Sequence, residues 1–261
     1  MTSVGERRGS MLKKQRRRRA ISALKFVAKL PYRAFRRAGI ERRLPPLPDG
    51  RGWRTAIPPA LHISIMRGSL DYNYRGITMQ KHPVEIALYT QLIWEFKPRT
   101  IVEIGSLSGG SAVWMADTLN TFSIEGHVIS VDLRPPSPSY RPTNVTFLQG
   151  DQNALAATLT SDFLASLPRP WLVIEDASHH YAPTLAVLRF FDPQLQPGEY
   201  IIVEDATVTE MGVDAHFKGG PARAIAEFLR DRSDDYEIDG RYCDQYGRNV
   251  TGNPNGYLRK K

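Results

Sequence analysis

The fold is decided by the stretch Thr100-Ile-Val-Glu-Ile-Gly-Ser-Leu-Ser-Gly-Gly-Ser111. Its apolar run ends in a glycine- and serine-rich loop that opens into a helical pattern, which predicts a strand, a loop and a helix that hold a ligand against backbone amides. Two later segments, Trp171-Leu-Val-Ile-Glu-Asp176 and Tyr200-Ile-Ile-Val-Glu-Asp205, are apolar strands that end in carboxylates. Because parallel strands end at one edge of an open sheet, we expect an acidic ligand site at that edge.

Strand and helix patterns alternate along the rest of the chain. The predicted strands are Thr100–Ile104, His127–Val131, Val145–Leu148, Trp171–Glu175 and Tyr200–Val203, with edge strands at Tyr236–Ile238 and Gly256–Leu258. The predicted helices are His82–Phe96, Ser111–Leu119, Ala154–Leu167, Tyr181–Phe191 and Pro221–Leu229. Apolar strands separated by helices predict an α/β fold, in which a mostly parallel central sheet is covered by helices on both faces.

Composition limits the class of protein. With 261 residues and 41% hydrophobic content, the chain can bury the core of one α/β domain. The single cysteine, Cys243, excludes an internal disulfide and a multi-cysteine zinc site, and it is typical of a reducing compartment. The sequence has no run of about 18 apolar residues and no signal-peptide pattern, so we expect a cytoplasmic protein.

Positive charge is concentrated in the first 50 residues, which hold 15 Lys/Arg against 3 Asp/Glu, whereas residues 51–261 hold 20 against 24. We therefore divide the chain into a basic arm with a Pro-rich linker, residues 1–50, and one mildly acidic domain, residues 51–261. Within the arm, Ile21–Leu30 has the pattern of a short basic amphipathic helix, which suits an anionic membrane surface or an acidic partner. A solvated, disordered tail is the alternative.

The loop Gly105-Ser-Leu-Ser-Gly-Gly110 matches neither common nucleotide-binding pattern. A leucine stands where the dinucleotide fingerprint has its second glycine, and no Gly-Lys-Ser/Thr follows as in a P-loop. A looser loop after an acid suits a zwitterionic amino-acid tail, whose ammonium would face Glu103 or a nearby carbonyl while its carboxylate faces loop amides. We assign Gly105, Ser106 and Ser111 to cofactor binding with Glu103.

Acids follow the next two predicted strands as well. Asp132 ends the second strand, where an acid can bind both hydroxyls of a ribose. Asp151 follows the third strand and is assigned to the amino group of an adenine. Ordinary polar capping of strand ends is the alternative for both side chains.

These residues resemble the class I S-adenosylmethionine-dependent methyltransferases, and more specifically the cephalosporin hydroxylase family, across residues 72–258. The motifs that carry the resemblance are Ile101–Ser111, Asp176-Ala-Ser-His-His-Tyr181, Pro197–Asp205 and Asn253-Pro-Asn-Gly-Tyr-Leu258. The acidic motifs are also similar to those of macrolide-sugar O-methyltransferases. The resemblance implies a Rossmann-like fold and S-adenosylmethionine as the cofactor.

The resemblance also implies that Asp176, Glu204 and Asp205 hold a magnesium ion. The chemistry agrees, because hard divalent cations prefer oxygen ligands and because three neighbouring carboxylates would repel one another without a cation. The alternative for Asp176 is a helix N-cap near His179. Glu175 is excluded from the site, since adjacent strand residues point in opposite directions.

His179 is the predicted general base, and Asp176 is grouped with it as a catalytic residue. Methyl transfer to an alcohol requires removal of the hydroxyl proton, for which an imidazole is suited near neutral pH. The resemblance places the base three residues after the first metal-binding acid, which selects His179 rather than His180. Lys81 and His82 are weaker candidates that would help to close the cofactor site.

Together these patterns predict a magnesium-dependent O-methyltransferase that acts on a sugar hydroxyl of a glycolipid or secondary metabolite. The family resemblance also implies a homo-oligomer. The Arg-rich arm suggests a nucleic-acid methyltransferase instead, but Asp176-Ala-Ser-His179 lacks the Pro-Pro-aromatic motif of base-amino methyltransferases. A non-catalytic binding protein that retains the fold is the other alternative. A hydroxylase is not expected, because no two-His, one-carboxylate iron site can be found near His179.

Overall fold

The structure is a computed structural model that describes residues 44, 46–47, 49–208, 211–213 and 215–261. Its strands, numbered in chain order, are β1 (Asn73–Tyr74), β2 (Ile77–Thr78), β3 (Thr100–Ile104), β4 (His127–Asp132), β5 (Val145–Gln149), β6 (Trp171–Glu175), β7 (Tyr200–Val203), β8 (Tyr236–Ile238) and β9 (Tyr257–Lys260). Its α-helices are α1 (Pro59–Leu70), α2 (Pro83–Phe96), α3 (Gly110–Thr121), α4 (Ser161–Ala165), α5 (Tyr181–Phe191), α6 (Gly220–Arg232) and α7 (Gly240–Cys243).

Seven of these strands form one sheet, in the order β5-β4-β3-β6-β7-β9-β8. The five strands from β5 to β7 are parallel, and β9 runs antiparallel to both β7 and β8. From β3 the chain moves outward to one side through β4 and β5, and it then returns to place β6 and β7 on the other side. The strand order therefore reverses between β3 and β6, and ligands of open α/β sheets bind at such a switch point.

Alternation along the strands divides the core between the two faces of the sheet. On β3, Val102 and Ile104 face α5 and α6, whereas Ile101 faces α2 and α3 on the opposite side. These side chains are almost completely buried. The prediction of a mostly parallel sheet with helices on both faces is confirmed, and it follows from strands that are apolar on both sides.

One predicted element is wrong. The segment expected to form a single helix, Ala154–Leu167, contains a 3-10 turn, Leu155–Ala157, followed by the short helix α4. Thr160 has an extended backbone and caps α4 by accepting a hydrogen bond from the Phe163 amide at 3.2 Å. Side-chain hydroxyls that bind nearby backbone compete with helix continuation, which explains the interruption. Helix α1 and the β1–β2 hairpin were not predicted.

The predicted amphipathic helix at Ile21–Leu30 lies outside the described residues. At the end of the predicted linker, Leu44 and Leu47 are buried in the same hydrophobic cluster as Trp53. Arg51 donates to both carboxylate oxygens of Asp244 at 2.9 and 2.8 Å. The last residues of the linker therefore pack on the domain, and the boundary at residue 50 stays a prediction. None of the helices in the described part of the chain is long and apolar enough to cross a membrane.

A buried histidine makes the fold sensitive to acid. His62 on α1 is fully buried, neither of its ring nitrogens has a partner among the described residues, and burial lowers its pKa to about 4. Below pH 6.5 the unfolded chain binds a proton here that the folded chain does not, so the free energy of unfolding falls as the pH is lowered towards 4.

Between pH 7.5 and pH 5, the free energy of unfolding should fall by about 2 kcal/mol less in His62→Leu than in the wild type. The reason is that the unfolded variant has no histidine at this position to bind a proton. Urea unfolding at the two pH values measures the difference. Equal losses in the two proteins would contradict the assignment of a neutral, buried His62.

Candidate active site

The site begins where the loop after β3 touches the end of β6. The Asp176 amide donates to the Ile104 carbonyl at 2.8 Å, and the Gly105 amide donates to the Val131 carbonyl at 2.8 Å. A Cβ atom at Gly105 would lie only 2.2 Å from the Asp176 carbonyl oxygen, and the residue has a φ of +107°. Only glycine permits this close approach, which brings the predicted cofactor loop against the first of the predicted metal-binding acids.

Asp132 holds the same loop from the other side. Its Oδ2 accepts hydrogen bonds from the amides of Ser106 at 3.0 Å and Leu107 at 3.2 Å, and its Oδ1 accepts one from Arg134 at 2.9 Å. The carboxylate therefore fixes the turn that follows β3. This contact lies at the position where the sequence predicts a ribose.

Glu103 lies beneath the loop and is completely buried. Its two oxygens accept hydrogen bonds from the hydroxyls of Ser111 and Ser130, both at 2.5 Å, and Ser106 shares a hydrogen bond with Ser130 at 2.6 Å. Burial raises the pKa of Glu103, against the opposing effects of Lys81 and the two hydroxyls. The predicted residues are thus brought together, but the serine hydroxyls point at protein groups.

The end of β5 approaches the segment that carries the predicted base. Asp151 accepts hydrogen bonds from the amide and the side chain of Asn153 at 2.8 and 2.9 Å, so its carboxylate stabilises a local turn. The neighbouring Gln152 donates to the Ser178 hydroxyl at 2.6 Å. Through this contact the end of β5 is connected to Ser178, the residue that precedes His179.

Asp176, His179 and Asp205 form a group whose potential ligand atoms all lie within 4.8 Å of one another. Their side chains keep 23%, 24% and 31% of their exposure, so the group is open to a ligand. His179 and Asp205 both have a φ of 56°, a left-handed conformation that is uncommon outside glycine. Such strained residues concentrate at functional sites.

Glu204, the third predicted metal ligand, lies deeper and is not part of that group. Its Oε1 accepts a hydrogen bond from the Tyr89 hydroxyl at 2.7 Å and a second from the Lys81 ammonium. The same ammonium lies 2.6 Å from Oδ2 of Asp176. Burial opposes the charge on Lys81, but Asp176 and Glu204 outweigh it and raise the lysine pKa, so the ammonium stays protonated.

The segment before β9 supports the acids from behind. Oδ1 of Asn253 accepts a hydrogen bond from the Asp205 amide at 3.1 Å. Glu85 on α2 accepts one from the Gly252 amide at 2.8 Å, and its other oxygen lies 2.9 Å from Nδ1 of His82. Sequence reasoning missed Glu85 and Asn253 as supporting residues, although the latter begins one of the motifs quoted above.

The structure separates His179 from its neighbour His180. Nε2 of His179 lies 3.4 Å from Oδ2 of Asp205. Burial alone would lower the His179 pKa, but Asp205, Asp176 and Glu175 together raise it. The pKa of His180 is lowered instead, first by burial and then by His216, Lys218 and His179. Of these two histidines, His179 is the one that lies beside Asp176 and Asp205.

The helix cap proposed as the alternative for Asp176 is not observed. Helix α5 begins at Tyr181 with His180 as its N-cap, and no side chain caps it, so Asp176 is not the cap of this helix. Glu175 is completely buried, accepts a hydrogen bond from the Thr184 hydroxyl at 3.0 Å, and has its pKa raised to about 7 by burial. Its exclusion from the exposed group agrees with strand alternation.

The family described as Rhamnosyl O-methyltransferase/CmcI matches residues 67–261. The chain belongs to this family. A rhamnosyl O-methyltransferase of Mycobacterium leprae is 28% identical over 191 residues, which cover 72% of this chain and 82% of the relative. The enzyme of the same name from Mycobacterium tuberculosis strain H37Rv is 28% identical over 191 residues, covering 71% and 76%.

Solved structures of CmcI have the same fold as this member of the family. A CmcI structure with magnesium and S-adenosylmethionine has a TM-score of 0.57 at 26% identity and covers 83% of this chain and 90% of that chain. The apo structure of CmcI has a TM-score of 0.60 at 28% identity, covering 83% and 88%. The predicted family, the class I methyltransferase fold and an S-adenosylmethionine-dependent O-methyltransferase are therefore confirmed.

We expect Gly105→Ala to lower the free energy of unfolding by about 2 kcal/mol or more, because the left-handed backbone and the close Asp176 carbonyl both oppose a side chain. The matched control is Gly68→Ala in α1, where a new Cβ meets no atom within 4 Å. That control should be neutral or stabilise by about 0.5–1 kcal/mol. Denaturant unfolding compares them, and equal stabilities would contradict the contact.

Proposed function

We propose that this enzyme transfers a methyl group from S-adenosylmethionine to a hydroxyl of a sugar, in a glycolipid or a related natural product, with Mg²⁺ as a second cofactor. The observation that carries the proposal is the convergence of Asp176, His179 and Asp205 beside the Gly105 loop. The family match and the mycobacterial relatives named rhamnosyl O-methyltransferases support a sugar acceptor.

The methyl donor is proposed to lie across the carboxyl ends of β3, β4 and β5. Asp132 would bind the ribose hydroxyls while it fixes the loop amides, and Asp151 would meet the adenine. Glu103 would act electrostatically from beneath the loop, because its oxygens are already bound to Ser111 and Ser130. Asp132, Asp151 and Glu103 thus remain in the proposed cofactor site, with Glu103 in a supporting position.

The donor set fits a hard divalent cation. Asp176 and Asp205 are partly exposed, and Glu204 precedes Asp205 but lies deeper, beside Lys81. This one ammonium neutralises only part of the charge of the three carboxylates. Magnesium prefers a few carboxylates and keeps positions open for substrate oxygens. When bound there, the ion would lower the pKa of the acceptor hydroxyl and fix its orientation.

His179 is proposed to take the hydroxyl proton as the acceptor oxygen attacks the methyl carbon, whose bond to sulfur would break to leave S-adenosylhomocysteine. The imidazole keeps 24% of its exposure, and because its Nδ1 is buried, Nε2 is the nitrogen that would meet the acceptor. Asp205 lies beside Nε2 and would stabilise the imidazolium that forms. Asp176 would take part by holding the metal and by raising the pKa of the same histidine.

Two further features of the proposal concern assembly and location. The basic residues of the arm would dock the enzyme on anionic lipid, where a glycolipid acceptor is presented, while the domain stays in the cytoplasm. A homo-oligomer is proposed from the family resemblance. The mildly acidic domain supports a small glycosylated acceptor rather than nucleic acid.

The cofactor assignment predicts that Asp132→Ala weakens the binding of S-adenosylhomocysteine by about 1–3 kcal/mol, because ribose hydrogen bonds and the loop conformation are lost. Calorimetric titration measures this change. Asp234→Ala, which removes an exposed carboxylate on the turn after α6, is the control and should bind normally. Unchanged affinity in Asp132→Ala would remove this residue from the cofactor site.

Removal of the metal and removal of the base should have different effects on the enzyme. EDTA should abolish methyl transfer and added Mg²⁺ should restore it, whereas S-adenosylmethionine binding persists. His179→Ala should keep metal and cofactor binding but lower kcat by about 10²–10⁴-fold, and His180→Ala is its matched control with near-normal kcat. Activity that survives EDTA would contradict the metal, and near-normal kcat in His179→Ala would contradict the base.

The arm is tested by deleting residues 1–43, which leaves the buried Leu44 in place. We expect unchanged turnover on a water-soluble acceptor but reduced co-sedimentation with vesicles that contain anionic lipid. Full-length protein should also dissociate from the vesicles as salt is raised, because the attraction is electrostatic. Sedimentation that is absent or insensitive to salt would favour the disordered-tail alternative.

A further inference from the structure

Lys81 is a buried cation that lies beside two of the predicted metal-binding acids. Its side chain keeps only 2% of its exposure, while that of Glu204 keeps 6% and that of Asp176 keeps 23%. The lysine therefore approaches the carboxylates from the protein side, and Asp176 keeps a face towards solvent. A buried ammonium is costly unless carboxylates and hydrogen bonds compensate it.

The backbone before α2 directs Lys81 into this position. Gln80 has a φ of 55°, a left-handed conformation, and Pro83 starts the helix two residues after Lys81. His82 caps α2 by accepting a hydrogen bond from the Val84 amide, so the lysine is fixed between a turn and a capped helix. The long side chain is thus held by a rigid segment, which limits the entropy lost in its contacts.

Lys81 contacts one oxygen of each of two carboxylates. Its ammonium binds Oδ2 of Asp176 and Oε1 of Glu204, and the latter oxygen also accepts the Tyr89 hydroxyl. Burial raises the pKa of Tyr89 well above its usual value, so the phenol remains a donor. These contacts orient both carboxylates without a divalent ion.

We propose that Lys81 is the resident counter-cation of the acid cluster, which consists of Asp176, Glu204 and Asp205. Its ammonium neutralises Asp176 and Glu204 and keeps the metal site formed before a divalent ion binds. The inference rests on the proposed function for the metal, and it concerns a residue that acts through the carboxylates rather than on the substrate. Without Lys81, buried carboxylates would repel one another, and the site would depend on the metal for its stability.

The test is thermal unfolding of Lys81→Met, which keeps the length of the side chain but removes its charge, in EDTA and in Mg²⁺. In EDTA the Tm should fall by about 10 °C, as expected when one partner of a buried ion pair is removed. Mg²⁺ should recover at least half of that loss, whereas it should raise the wild-type Tm by only a few degrees, roughly 2–4 °C.

The control for a lost lysine is Lys260→Met. Lys260 on β9 lies 3.0 Å from the Asp192 carboxylate and takes no part in the acid cluster. Its replacement should lower the Tm but leave the Mg²⁺-induced shift at the wild-type value. If the wild type binds Mg²⁺, an equal Mg²⁺-induced rise in the Tm of Lys81→Met and of Lys260→Met would overturn the proposal.

A second variant separates charge from packing and remains informative if Lys81→Met does not fold alone. Adding Glu204→Gln to Lys81→Met removes one of the unneutralised carboxylates, so the double variant should recover Tm in EDTA. Failure of this rescue would show a packing role for Lys81 and overturn the proposal. Rescue in EDTA, together with calorimetry that detects no Mg²⁺ binding to the wild type, would support the counter-cation and contradict the proposed metal.

Discussion

Carboxylates that end neighbouring parallel strands repel one another, and the surrounding site is arranged to compensate that repulsion. Asp176 follows β6, and Glu204 and Asp205 follow β7, at the same edge of the sheet. Lys81 compensates from the buried side, His179 lies beside Asp205, and Asn253 fixes the Asp205 backbone. A divalent cation on the exposed side would complete the balance of charge.

The fold produces this arrangement through one close contact. Because Gly105 has no side chain, the loop after β3 can touch the end of β6, and the proposed cofactor loop therefore borders the acids directly. Asp132 holds that loop at its other side. The methyl donor and the acceptor hydroxyl would consequently meet at the switch point between β3 and β6, where the strand order reverses.

Much of the fold could be predicted from the sequence, because buried parallel strands are apolar throughout and their ends carry glycine or acids. The five parallel strands, β3 to β7, and the acids after β6 and β7 were predicted in this way. The prediction of one helix over Ala154–Leu167 was wrong because Thr160 accepts a hydrogen bond from the nearby Phe163 amide and so starts a separate helix. Supporting contacts such as Glu85 with Gly252 join segments distant in sequence, and no local pattern reports them.

We propose that the partly exposed Asp176 and Asp205 bind a divalent cation beside the methyl donor. Anomalous diffraction from crystals grown with Mn²⁺ and S-adenosylhomocysteine tests it most directly, because manganese shares the oxygen ligands of magnesium and can be located without ambiguity. The account predicts one strong peak bonded to Asp176 and Asp205, next to the cofactor sulfur. Cofactor density at the Gly105 loop without a metal peak at these carboxylates would contradict it.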